Sequence, residues 1–158
     1  MLYTSADRRV LGYLGRALSL EFSAVQQYST QARLVASWGL DAAARRLNQE
    51  VSEELEHVDR IIARMLALGV APNASQLRPV RLGSTLGELL LQNYSFEREI
   101  VQLYDNATRY CANAGDHDNR LFFETLLAEE RHHVEQYARW LEELEGAVAP
   151  VSAERATF

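Results

Sequence analysis

Glu54-Leu55-Glu56-His57 and Glu130-Arg131-His132-His133 are two Glu-x-x-His stretches in distant parts of the chain. An α-helix repeats every ~3.6 residues, so on a helix each stretch sends one carboxylate and one imidazole from the same face. The apolar residues on either side show which face that is, because an inward seam recurs at alternating steps of three and four. Around the first stretch the seam reads Leu47, Val51, Glu54, Val58, Ile61, Met65 and Leu68, and around the second Phe123, Leu127, Glu130, Val134, Tyr137, Leu141 and Leu144. Two further segments carry the same rhythm: Leu11, Leu14, Leu18, Glu21, Val25, Tyr28, Ala32, Val35, and Leu86, Leu90, Asn93, Glu97, Ile100, Tyr104, Ala107, Cys111. Each seam holds one glutamate near its middle.

A carboxylate taken out of water costs several kcal/mol, and four that converge raise one another's pKa, so such a core without a cation would be protonated or unstable. Two divalent ions would balance four carboxylates and leave the imidazoles as neutral ligands. The expected metal ligands are therefore Glu21, Glu54, His57, Glu97, Glu130 and His133. One Glu from each of two helices, with Glu-x-x-His from each of the other two, is the known donor pattern of ferritin-like di-iron and di-manganese bundles.

Gly and Pro mark the boundaries. Asp7 or Ser5 can cap the first helix, Gly39 breaks it after Trp38, and Asp41 can cap the second, which ends at Gly69. Val70 to Gly83, with Pro72 and Pro79, forms the one long connection. Thr85 and Glu88 form a capping box, Gly115 closes the third helix, Asp116 or Asp118 caps the fourth, and Gly146 ends it. The predicted helices run 5–38, 41–68, 85–114 and 117–145, followed by an irregular tail, 147–158, within a single domain covering 1–158. Helices of this length span ~42 Å and the connection reaches up to ~46 Å, enough to traverse the bundle. The expected fold is all-α: a ferritin-like four-helix bundle, up-down-down-up, with one long crossover between helices 2 and 3.

Composition fits this reading. The 158 residues are 47% hydrophobic, ample for a core without staples. One cysteine, Cys111, rules out an intramolecular disulfide and a four-cysteine iron site, and fits a reducing cytoplasm. Met1 to Ser23 lacks the unbroken apolar stretch of a secretory signal, and no run approaches a membrane span. The net charge of −6 argues against nucleic acid as a partner. The expected location is the cytoplasm.

From Val10 to Leu144 the chain resembles a bacterioferritin. The resemblance lies in Glu21-Phe22-Ser23-Ala24-Val25-Gln26-Gln27-Tyr28, Ala32-Arg33, Trp38-Gly39-Leu40, Glu53-Glu54-Leu55-Glu56-His57-Val58-Asp59-Arg60 and Glu130-Arg131-His132-His133-Val134-Glu135. It implies an iron-storage subunit with an intrasubunit ferroxidase centre, usually one of twenty-four in a hollow shell. It further implies that Glu21 and His57 serve one iron, Glu97 and His133 the other, and that Glu54 and Glu130 bridge. Fe²⁺ would then be oxidised by dioxygen or hydrogen peroxide, each iron giving up one electron.

The departures from the family are specific. Its axial haem ligand is a methionine where this chain has Leu55, which has no donor atom, so no haem is expected. Members with an additional inner-surface iron site place a histidine where Gln49 stands, although Glu53 keeps the neighbouring acid. The short fifth helix that lines the shell's four-fold channels should follow Gly146, but Ala147 to Phe158 contains Pro150 and little helical rhythm. The expected assembly is a homo-oligomer, a dimer at least and up to a 24-mer, or a mixed shell with a haem-bearing subunit. Two alternatives remain: a non-storage di-iron oxidase or peroxidase working as a dimer, and a structural bundle with outward glutamates.

Other candidates are weaker. Glu129 with His132 makes a competing Glu-x-x-His, but the seam favours Glu130 with His133. Glu99 points about 200° away from Glu97 around its helix. His117 lies between two aspartates in a turn, where a solvated loop is the simpler reading. For Tyr28 a packing role and an electron-donating role, the latter implied by the resemblance, stand side by side. Tyr104, Tyr137 and Cys111 read as packing residues.

Overall fold

Three of the four helices begin where a side-chain oxygen accepts an otherwise orphaned backbone N–H. Asp7 accepts from Arg9 at 2.7 Å. Thr85 accepts from Glu88 at 3.2 Å, and Asp116 from Asn119 at 3.2 Å. The reciprocal half of the expected capping box lands one residue early, with Glu88 accepting from the N–H of Ser84 at 2.7 Å. The resulting helices are α1 (Arg8–Ser37), α2 (Asp41–Ala67), α3 (Leu86–Ala114) and α4 (His117–Val148). This computed structural model describes residues 6–74 and 76–148, with no strand among them. The alternative cap Ser5 and the tail beyond Val148 lie outside the described residues.

Two expected boundaries need correction. Asp41 does not cap α2: Leu40 takes the cap position without a side-chain bond, and Asp41 is the first helical residue. The α1–α2 turn, closed by Gly39 and Leu40 N–H groups on the Ala36 and Val35 carbonyls at 3.0 Å, sets Leu40 at the cap position, and leucine has no side-chain acceptor. Asp41 still favours the positive end of the helix dipole. Gly146 does not end α4, which continues through Ala147 to Val148. A glycine stops a helix by turning left-handed, as Gly115 does at φ 70°, and Gly146 is not among the positive-φ residues. Left in the helical conformation it costs only about 1 kcal/mol against alanine.

The order is up-down-down-up. Short turns make α1 and α2 antiparallel, and likewise α3 and α4. Pairings of Tyr28 with Glu97 and Tyr104 with Glu21 run α1 and α3 antiparallel. α2 faces α4 through Arg46–Glu143 at 2.8 Å, Arg60–Glu129 at 2.6 Å and Arg64–Asn119 at 2.7 Å. The crossover from α2 to α3 traverses the bundle along α1. Arg78 N–H donates to Ser23 Oγ at 2.9 Å, and Arg81 N–H to Gln27 Oε1 at 3.3 Å. Gln31 Nε2 donates to the Arg81 carbonyl at 3.2 Å. Asn93 ties this row to α3, accepting from Gln27 at 2.9 Å and donating to Gln31 at 2.6 Å. These bonds explain why Ser23, Gln27 and Gln31, spaced by four along α1, are buried although polar.

Candidate metal centre

Midway along the bundle, the seam phase of each helix turns its central glutamate inward. Glu21, Glu54, Glu97 and Glu130 are all 0% exposed, and His57 and His133 are 3% exposed. One donor atom each from Glu21, Glu54, His57 and Glu130 lie within 4.8 Å of one another, and so do donor atoms of Glu54, Glu97, Glu130 and His133. The two groups share Glu54 and Glu130.

The shared carboxylates divide their oxygens between the two groups. Glu54 Oε2 lies 3.1 Å from Nδ1 of His57, and its Oε1 lies 3.0 Å from Nδ1 of His133. Glu130 Oε1 lies 2.7 Å from Nδ1 of His57, and its Oε2 lies 3.3 Å from Nδ1 of His133. Glu21 approaches only His57, at 3.5 Å, and Glu97 only His133, at 4.0 Å. The imidazoles stack with ring centres 5.5 Å apart. Both turn Nδ1 inward, because Nε2 has its own carboxylate outside: Glu53 at 2.8 Å from His133 and Glu129 at 3.4 Å from His57.

Electrostatics shows what charge the centre calls for. Burial and the neighbouring carboxylates raise Glu54 and Glu97 well above the ordinary carboxylate range, and Glu130 in the same direction. Burial pushes Glu21 upward too, but hydrogen bonds with His57, Glu54 and Tyr104 outweigh it and draw it down to about 2. Burial opposes charge on His57 and His133, yet the carboxylates around them outweigh it and raise both. Ionised together, these buried groups call for compensating positive charge. Close as some of these atoms lie, Glu21 Oε2, Glu54 Oε1, Glu97 Oε2, both oxygens of Glu130 and His133 Nδ1 form no well-aligned hydrogen bond. A buried set of oxygen and imidazole donors with unspent lone pairs fits a pair of divalent cations.

Two tyrosines hold the unshared carboxylates. Tyr28 donates to Glu97 Oε1 and Tyr104 to Glu21 Oε1, which leaves Oε2 of each glutamate without a hydrogen bond. Tyr104 therefore does more than pack, a role its seam position alone does not reveal. Tyr137 stacks on Trp140 with ring centres 6.2 Å apart and meets Tyr28 at a 55° tilt, 6.0 Å away.

The remaining candidates fall elsewhere. Glu99 is exposed and paired with Arg78 at 2.6 Å. His132 is exposed against Gln136, His117 is exposed as the first residue of α4, and Cys111 is buried in the core. Leu55 points off the centre, 46% exposed. Gln49 donates to Glu53 at 3.0 Å. Sequence reasoning missed Glu50, whose donor atoms group with those of Glu53 and His133. Glu50 is buried with Oε2 unpartnered, and burial pushes its carboxyl up to about 7. The signal was its spacing, since Glu50, Glu54 and His57 share one face at steps of four and three.

No helix among the described residues is long and apolar enough to cross a membrane. Residues 11–147 match the ferritin family model, described as a ferritin-like domain. Bacterioferritin from Rhodobacter capsulatus is 38% identical over 129 residues, 82% of this chain and 80% of that protein. A bacterial ferritin from Synechocystis is 30% identical, covering 90% of this chain and 89% of its own. The solved structure of Rhodobacter capsulatus bacterioferritin superposes with a TM-score of 0.85 at 35% identity, covering 89% and 88% of the two chains. That structure is described with a metal-free dinuclear site and a heme iron in a crystallographic special position. With its fold, its paired donor groups and these relatives in agreement, the chain belongs to the ferritin family, among the bacterioferritins.

Proposed function

We propose that this chain is an iron-storage ferroxidase of the bacterioferritin type, one domain per chain, that binds two Fe²⁺ among Glu21, Glu54, His57, Glu97, Glu130 and His133. The observation that carries this is the division of Glu54 and Glu130, each offering one oxygen to the His57 side and one to the His133 side. Bound Fe²⁺ supplies two electrons, one per iron, to dioxygen or hydrogen peroxide, and ferric iron is the product.

The residues provide the rest. Glu54 and Glu130, common to both donor groups, would hold both ions, and Glu21 and Glu97 would each hold one. Tyr104 and Tyr28 keep those two carboxylates from rotating away. The imidazoles must lose the Nδ1 proton to bind, and the raised carboxyls must ionise, so loading releases protons. A pocket lined by Gln49, Glu53, Glu56 and Glu129 reaches the outer side of His57 and His133 and gives them an acidic surface that attracts cations.

The reading includes a homo-oligomer, either a closed shell or a dimer, and no haem at Leu55. A dimer would favour a non-storage oxidase or peroxidase on the same bundle, and oligomer mass separates the two. The test is an anaerobic Fe²⁺ titration, followed by oxidant, on material of measured mass. Two equivalents per chain with rapid oxidation support the centre, and uptake far beyond two supports storage. Unchanged iron binding and oxidation in Glu54→Ala/Glu130→Ala would refute it.

A further inference from the structure

The two halves of the centre match in their inward ligands but not in what lies behind the imidazoles. Nε2 of His133 is 2.8 Å from Glu53 Oε2, and the other oxygen of Glu53 accepts from the neutral amide of Gln49. Among the described residues no arginine lies within ion-pair distance of Glu53. Nε2 of His57 is 3.4 Å from Glu129 Oε2, and that same oxygen takes Arg60 Nη1 at 2.6 Å. The guanidinium consumes the charge that His57 would otherwise lean on, and it sets a positive group behind Glu129.

A carboxylate behind a ligating imidazole fixes its ring and raises its basicity, and removing such a partner typically costs 10–100-fold in metal affinity. We propose that the two metal positions are inequivalent, the His133 position binding divalent cations more tightly than the His57 position, with Arg60 and Glu53 as the positioning residues that set the difference. This rests on the dinuclear reading above. The consequence is an order of filling. The first ion settles with Glu97 and His133, and the second, held more loosely with Glu21 and His57, is the one that exchanges.

Mutual repulsion of two ions also makes a second step weaker, so the test isolates each position. Co²⁺ binds the same nitrogen and oxygen donors and reports through its visible absorption, without turnover. In His57→Ala only the His133 position keeps its imidazole, and in His133→Ala only the His57 position does. The expected result is a dissociation constant about tenfold or more lower for His57→Ala than for His133→Ala. Adding Arg60→Leu should tighten binding in His133→Ala and leave His57→Ala unchanged, while Glu53→Gln should weaken only His57→Ala. Should either alanine variant fail to fold, Arg60→Leu and Glu53→Gln in the otherwise intact chain give the same answer, moving the second and first steps respectively. Equal constants, or constants indifferent to Arg60 and Glu53, would overturn the inequivalence and leave the dinuclear centre standing. Absence of any Co²⁺ binding by the intact chain would remove the centre itself.

Discussion

Stripping the divalent ions should make the protein most stable in mild acid, whereas the loaded protein gains on it steadily as pH rises. The sign follows from the direction of each shift. Glu54, Glu97 and Glu130 are raised from 4.5, and His57 and His133 from 6.5. A group raised on folding stabilises fully below its unfolded pKa and loses that contribution as pH climbs through the folded value. The three carboxyls therefore weaken the metal-free fold as pH rises above about 4.5, and the two imidazoles add to this above about 6.5. Glu21, drawn down to about 2, acts in the opposite sense: its contribution is present above 4.5 and fades as pH falls toward 2. Loading must at the least displace the Nδ1 protons of His57 and His133, since those nitrogens face the shared carboxylates at 2.7 and 3.0 Å. Two protons displaced widen the gap between loaded and metal-free stability by about 2.7 kcal/mol per pH unit at saturating metal. For a chain of this size that is roughly 5–10 °C in Tm per unit. Thermal melts followed by circular dichroism, with chelator or with excess Co²⁺ at pH 5.5, 6.5 and 7.5, measure it. A gap that stays constant across this range, or a metal-free Tm that rises from 5.5 to 7.5, would refute the reasoning.

Other outcomes follow from single contacts. Tyr28→Phe frees Glu97 Oε1 inside the core; metal affinity should fall about 10-fold in a Co²⁺ titration, and unchanged affinity would mean Tyr28 only packs. Asn93→Leu strands Gln27 and Gln31 without their partner on α3, which should cost about 1–3 kcal/mol in denaturant melts, and a neutral result would show that water replaces the amide. Cys111, buried and with its thiol pushed up to about 11, should react with a thiol reagent only on unfolding; prompt labelling of native protein contradicts the packing. Protein prepared with haem supplied should show no thioether-ligated haem absorption at Leu55, and the appearance of such a band would correct that expectation.

The six inward donors were legible because buried helical positions obey a strict period, and a glutamate on an apolar seam has no cheap explanation apart from a cation. Bundle order was legible from the length of the crossover. The burial of Ser23, Gln27 and Gln31 was not, because polar residues off the seam read as half-exposed until the crossover that bonds them is placed. The contacts of Glu53, Glu129 and Arg60 escaped for a related reason: the three flank the seam, and their partners are ring nitrogens and oxygens on another helix. Tyr104 differs from its aromatic neighbours only by its hydroxyl, whose target on α1 no spacing on α3 announces. Gly146 misled because a glycine marks a helix end only when its φ turns positive, which sequence does not state.

The strap that crosses the bundle is gripped by its main chain. At 78 and 81 it is the peptide N–H that reaches Ser23 and Gln27, while the Arg78 guanidinium turns away to Glu99. Side-chain identity there is consequently under little constraint, and lineages are free to rewrite the strap's lettering. Proline is the exception at both positions, since a ring nitrogen has no hydrogen to offer and would let the strap lift from α1.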